Sequence, residues 1–190
     1  AGFYYKTFMW PAKLWPTYEK FIRKAAGLGP APQAKDPDAY DARHHHVDVL
    51  IAGGGAAGLS AALAAGRAGA TVMLADEQDA FGGRLLSEPV NGDLTISGKH
   101  VDTWLDNTLA ELQGMANVTL LPHTTVFGYH HGNFLTLVER KTDHLPDSAA
   151  RDYVRQRLHQ VRAKQVVLAT GAHERSMLFN GNDRPGVMLA

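Results

Sequence analysis

The sequence predicts an α/β fold: a doubly wound parallel sheet carrying a β-hairpin or meander insertion and incomplete at its C-terminal end. Three observations carry that expectation. Val47 to Ala52 and Thr71 to Ala75 are short apolar runs, as parallel strands buried on both faces require. Between them lie a glycine cluster and a small, apolar, helix-favouring stretch from Leu59 to Ala68, ended by Gly69. Farther on, Gln165 to Ala169 is another buried run that ends in Thr170-Gly171.

The first 45 residues differ from the rest. Eight of the sixteen aromatic residues fall among the first 21, including Phe8, Trp10, Trp15, Tyr18 and Phe21. Pro11, Pro16, Pro30, Pro32 and Pro37 interrupt any long element, leaving room for one short helix from Tyr18 to Ala26. Up to residue 35 six lysines and arginines face only Glu19, so the arm is basic. A segment this interrupted has no core of its own, and its aromatics are expected against a neighbouring domain or subunit rather than nucleic acid. Arg43-His44-His45-His46 is expected as a polar lead-in to the first strand. Three successive residues cannot all face one metal ion from a strand.

After the second strand, Val101, Leu105, Leu109 and Leu112 mark one face of a helix closed by Gly114, and Val118 to Leu121 is a third strand. Thr124 to Tyr129 and Phe134 to Glu139 alternate about His130-His131-Gly132-Asn133, the pattern of a hairpin. A polar loop from Asp143 to Asp152 leads to a further strand, Val154 to Val161.

Composition narrows the function. The 190 residues carry 19 basic and 19 acidic side chains, a balance that argues against nucleic acid or an anionic membrane as partner. No apolar run reaches the roughly 18 residues of a membrane span. Without cysteine there is no disulfide, thiolate nucleophile or Cys-bound metal, which fits a reducing compartment, and a cytoplasmic location is expected. The chain opens on Ala1 without an initiator methionine and stops in mid-pattern, so it is expected to be a piece of something longer.

Gly53-x-Gly55-x-x-Gly58 sits where a strand turns into a helix inside a βαβ unit of about 30 residues, the context that makes this fingerprint informative. Gly53 permits the tight turn, Gly55 lets a pyrophosphate approach bare backbone, and Gly58 lets helix and strand pack closely. Amides at the helix start, at Ala56 and Ala57, face the phosphates. Asp76 follows Gly53 by 23 residues at the end of the second strand, where a carboxylate accepts both ribose hydroxyls of an adenosine and repels a 2′-phosphate. Glu77 is the near alternative. These features predict a Rossmann-like domain over residues 46–190, a partial FAD/NAD(P)-type dinucleotide-binding unit, behind an arm spanning 1–45. Gly82-Gly83 either lets the backbone pass near the ligand or forms a simple turn. Thr170 and Gly171 end a late strand at the same sheet edge. His173 is expected as a solvated loop residue, and no catalytic acid, base, nucleophile or metal site is assigned.

The spacing of the fingerprint, Asp76-Glu77-Gln78, Gly82-Gly83, the hairpin and Ala169-Thr170-Gly171 resembles the two-dinucleotide-domain flavoproteins of the glutathione reductase type. More narrowly, Phe3-Tyr4-Tyr5-Lys6-Thr7-Phe8-Met9-Trp10-Pro11, Ala26-Gly27-Leu28-Gly29, Asp36-Pro37-Asp38 and Gly171-Ala172-His173-Glu174-Arg175, running into Gly181-Asn182-Asp183-Arg184-Pro185-Gly186-Val187, resemble the α-subunit family of heterotetrameric sarcosine oxidases. Related subunits of hydrogen cyanide synthase and opine oxidases match the opening less well. The chain departs from the family at Ala56, where Pro is usual, at Arg84, and at Ser176. Arg84 could reach the pyrophosphate.

The resemblance implies oxidative demethylation of sarcosine to glycine, with hydrogen peroxide and either formaldehyde or methylene-tetrahydrofolate as products. It implies β, γ and δ partner subunits, FAD and FMN in the complete complex, and NAD held without redox turnover in this domain. It adds Gln78, Gly83 and Val126 to the cofactor-binding set, and it implies that this segment is inactive alone. Two other readings stand beside it: an FAD-bearing subunit of a related dehydrogenase or synthase, and a non-catalytic nucleotide-binding assembly module.

Overall fold

The computed structural model of the chain describes residues 10–29, 34–89, 92–146, 153–172, 175 and 177–188. Contacts divide the chain into two units, 1–37 and 38–190. The first contains a short 3₁₀ turn, Ala12–Leu14, and helix α1, Trp15–Ala25, whose start is fixed by Pro16 in its first turn. The helix begins three residues before the expected Tyr18, and Gly27 follows it at a positive φ. The opening aromatics through Phe8, and Pro30 and Pro32, lie outside the described residues.

The second unit is built on one six-stranded sheet in the order β5-β2-β1-β8-β7-β6. Its strands are β1 (Ala39–Ala52), β2 (Val72–Ala75), β5 (Val118–Leu121), β6 (Thr124–His130), β7 (Phe134–Arg140) and β8 (Val154–Leu168). β3 (Thr95–Ile96) and β4 (Lys99–His100) form a separate two-stranded ribbon. β1 pairs in parallel with β2 and β8, and β2 with β5, whereas the β6–β7 hairpin joins β8 antiparallel. This is the expected parallel α/β sheet with its hairpin.

Helix α2 (Ala56–Arg67) and helix α3 (Val101–Gln113) cover one face of the sheet. There Ile51, Val72 and Leu74 meet Leu59 and Ala62 of α2 and Trp104, Leu105 and Leu112 of α3. The alternate residues of β2, Met73 and Ala75, point to the opposite face, as the two-residue period of a strand demands. With Leu50 they are covered by Leu135 and Leu137 of β7 and Val161 and Ala163 of β8. Val47 joins this second core although it lies three residues from Leu50. Beside it the amides of Asp48 and Val49 both donate to the Thr71 carbonyl, at 2.9 and 3.0 Å.

Two expectations are corrected. Arg43-His44-His45-His46 is not a lead-in: these residues lie within β1, in register with His159 to Arg162 of β8. The segments expected as separate strands from Val154 and from Gln165 are one strand of 15 residues. Charged and polar partners make both possible. Asp41 takes a two-pronged ion pair from Arg157 at 2.8 and 2.9 Å, and Arg155 bonds Asp38 and Asp143. Because β1 starts at Ala39, the contact boundary at 37/38 falls before the expected 45/46. Among the described residues no helix is long and apolar enough to cross a membrane.

Candidate functional site

The site forms where the carboxyl ends of β1 and β2 meet the start of α2, the edge of an open α/β sheet at which ligands collect. Gly53 has φ +105°, and a side chain there would strike the Ala169 carbonyl just beyond β8. Gly58 lies so close under Gly53 that a Cβ would run into the Gly53 carbonyl oxygen. Both glycines therefore serve packing between strand, helix and β8. Gly55 differs: it has ordinary extended backbone, φ −75° and ψ −173°, and a Cβ built on it meets nothing within 4 Å. The space above Gly55 is open to a ligand, and a branched side chain would fill it.

Gly55 is also the N-cap of α2, and no side chain caps the helix. Its first intrahelical bond runs from Leu59 N–H to the Gly55 carbonyl, which leaves Ala56, Ala57 and Gly58 at the end bearing the partial positive charge. Ala56 is half-buried and Ala57 exposed.

Asp76 stands beside this turn. Its Oδ2 accepts from Gly54 N–H at 2.5 Å and its Oδ1 from Gln78 N–H at 2.8 Å. Each carboxylate oxygen keeps a further lone pair, so the group is oriented by backbone and still able to accept ribose hydroxyls. Glu77 and Gln78 are exposed on the loop that follows. Of the two acids, Asp76 is the one tied to the fingerprint turn.

Gly82 and Gly83 bind the turn from its other side. Gly82 N–H donates to the Gly54 carbonyl at 2.8 Å, and Gly55 and Gly82 form an isolated parallel bridge. Gly83 has φ +54°, and a Cβ there would sit 3.1 Å from Gly55 Cα. The glycine pair is thus a close backbone-to-backbone approach that supports the turn. Arg84 is exposed in the 3₁₀ turn Gly83–Ser87. Thr170 and Gly171 are exposed immediately after Ala169. Val126 is half-buried in β6 and packs against the second core. It lies two residues past Thr124, whose N–H donates to the Asp76 carbonyl at 2.7 Å.

Sequence reasoning missed Gly54 and Phe81. A Cβ on Gly54 would collide with the Phe81 ring and lie 3.1 Å from Asp76 Oδ2, so this glycine lets ring and carboxylate close on the turn. The signal was present in three consecutive glycines and in an aromatic directly before Gly82. His173 lies outside the described residues. Among the described residues no group of three or more His, Asp or Glu is placed to hold a metal ion.

A cavity of about 310 Å³ lies elsewhere, lined by His46, Asp48, Thr71, Arg162 and Lys164. Thr71 precedes β2, so this cavity is at the end of the parallel strands opposite Asp76. Asp48 there bonds Lys164 at 2.7 Å and the Thr71 amide at 2.8 Å, which hold its carboxyl down at about 2.

Comparison with known proteins places this geometry in a family. The chain is 51% identical over 191 aligned positions to the sarcosine oxidase subunit alpha of Rhizobium meliloti (strain 1021), covering 100% of this chain and 19% of that protein. It is 46% identical over 164 residues to the sarcosine oxidase subunit alpha of Corynebacterium sp. (strain P-1), covering 86% and 17% respectively. The chain thus spans less than a fifth of the length of these curated relatives. Among solved structures it is similar to L-proline dehydrogenase from P. horikoshii, with TM-score 0.55 and 28% identity over 76% of this chain and 26% of that one. Residues 47–189 match the family model for pyridine nucleotide-disulphide oxidoreductases. That match covers the fingerprint turn, Asp76, the hairpin and β8, and the chain belongs to the pyridine nucleotide-disulphide oxidoreductase family.

Proposed function

We propose that this chain is the dinucleotide-binding part of a sarcosine oxidase α subunit and that it holds NAD at the Gly53–Gly58 turn as a structural ligand. The observation that carries the binding reading is the open approach over Gly55 beside a carboxylate already oriented by Gly54 and Gln78. A bound dinucleotide would carry two-electron redox chemistry at its ring end, which a structural ligand does not use. The residues of this chain act on the other half: α2 amides and bare glycine backbone take the pyrophosphate, and Asp76 takes the adenosine ribose. Gly83, Arg84, Val126, Thr170 and Gly171 complete the proposed contact set, with Glu77 and Gln78 shaping the ribose end.

The sarcosine oxidase reading is supported by relatives 51% and 46% identical over most of this chain. In that reading sarcosine is oxidised in a multi-subunit complex with β, γ and δ partner chains, with FAD in the β subunit and FMN at the α/β boundary; the one-carbon unit passes to tetrahydrofolate or leaves as formaldehyde, and this segment alone turns over nothing. The choice of NAD rests on the resemblance to the α subunits. It is tested by acid extraction of the full-length α chain, isolated from its complex, with mass identification of the released nucleotide. Recovery of NAD supports the proposal; recovery of FAD in its place overturns the NAD assignment and favours a flavin-bearing subunit.

A further inference from the structure

We propose that Arg140, the last residue of β7, is a positioning residue for the ribose-binding carboxylate of Asp76, acting through a single peptide group. This rests on the reading of the Gly53–Gly58 turn as a dinucleotide site. The Glu77 carbonyl and the Gln78 N–H are the two ends of one planar peptide unit. Arg140 Nη2 donates to that carbonyl at 2.7 Å, and the N–H donates to Asp76 Oδ1 at 2.8 Å. Fixing the oxygen fixes the plane, and the plane aims the N–H that orients the carboxylate.

The same arginine holds the loop a second way. Its own N–H donates to the His123 carbonyl at 3.0 Å, and His123 N–H donates to the Gln78 carbonyl at 2.9 Å. His123 adopts φ +51°, an uncommon conformation for a residue with a side chain, and its ring stacks on His144 with centroids 4.6 Å apart. With Thr124 N–H on the Asp76 carbonyl, the hairpin and the residue before it hold three consecutive carbonyls, those of Asp76, Glu77 and Gln78. The loop itself, residues 77–80, is exposed. A charged donor to a carbonyl is roughly twice as strong as a neutral one, and Arg140 brings a charged donor to this loop. A binding carboxylate must be held to within about 0.5 Å by its supporting groups, which is the task the peptide and its arginine perform.

The test uses the full-length chain in its complex, depleted of nucleotide, with ADP and 2′-deoxyADP as probes in calorimetric titrations. ADP is common to both candidate dinucleotides, and the pair isolates one hydroxyl that Asp76 accepts. Arg140→Ala is expected to weaken ADP by roughly three- to tenfold while changing 2′-deoxyADP by less than about twofold. Arg140→Lys, which keeps a cationic donor, is expected to recover most of the ADP affinity. An equal loss for both probes, or no loss for either, overturns the positioning role. Gly55→Val serves as the reference. If it abolishes both probes while Arg140→Ala leaves their ratio untouched, only the arginine inference fails. If Gly55→Val leaves both bound, the site reading fails and this inference with it.

Discussion

His45 Nε2 and His159 Nδ1 face each other at 2.9 Å across the β1–β8 ladder, and the other nitrogen of His159 lies 3.0 Å from Glu139 Oε2. His159 is 3% exposed, and a carboxylate can only accept, so His159 Nε2 carries a proton toward Glu139. The N···N contact has room for one proton. Arg43 and Asp41 of β1, Arg157 of β8 and Lys141 after β7 surround the group, and Lys141 Nζ bonds Glu139 at 3.0 Å.

Burial, followed by the neighbouring His159, holds His45 below its ordinary 6.5. The unfolded chain therefore protonates His45 first as pH falls, and the folded chain loses stability as pH drops below about 6.5. Glu139 opposes its own burial through bonds from His159 and Lys141 and lies below its ordinary 4.5. Its contribution is present above 4.5 and is lost as pH falls through the folded value. Urea denaturation followed from about pH 7.5 to well below pH 4.5 should show two successive losses. His45→Gln should flatten the upper step and leave the lower one. An unchanged upper step in that variant would remove His45 from the account.

The fingerprint glycines should separate by their tasks. Gly58→Ala drives a Cβ into the Gly53 carbonyl and should destabilise the domain by about 1–3 kcal/mol, as overpacking does. Gly55→Ala meets nothing and should change stability by less than about 1 kcal/mol. Thermal unfolding of the two variants measures the difference, and equal losses would contradict the geometry.

Asp76→Asn keeps one acceptor oxygen and removes the charge. Hydrogen bonds to charged groups contribute about 1.5–3 kcal/mol each, so NAD affinity should fall by roughly tenfold or more. Discrimination against NADP should narrow, because the carboxylate that repels a 2′-phosphate is gone. Parallel titrations with the two nucleotides decide it; an undiminished preference for NAD would shift the ribose contact to Glu77.

Trp10 and Phe21 are 81% and 70% exposed. If the arm is an interface in the complete complex, acrylamide should quench Trp10 fluorescence much less in the complex than in the isolated chain. Salt-sensitive binding of the arm to single-stranded DNA would instead favour the nucleic-acid reading.

The parts legible in the sequence were those specified locally. The glycine turn, the acid at the end of β2 and the β6–β7 hairpin each depend on residues near one another in the chain. The N-terminal half of β1 was illegible because Asp41, Arg43 and His45 carry no apolar period. Their partners Arg157 and His159 lie 116 and 114 residues away, and such pairing has no local signature. Arg140 was hidden for the same reason: its target, the Glu77 carbonyl, is 63 residues upstream and belongs to the backbone.

The central claim is that the backbone above Gly55 is where a dinucleotide pyrophosphate rests. Gly55→Val in the full-length chain, assembled with its partners, tests it through nucleotide and flavin content per complex. The account predicts NAD occupancy reduced at least about tenfold, with flavin content in the partner subunits unchanged. Full NAD occupancy with the valine in place would contradict it.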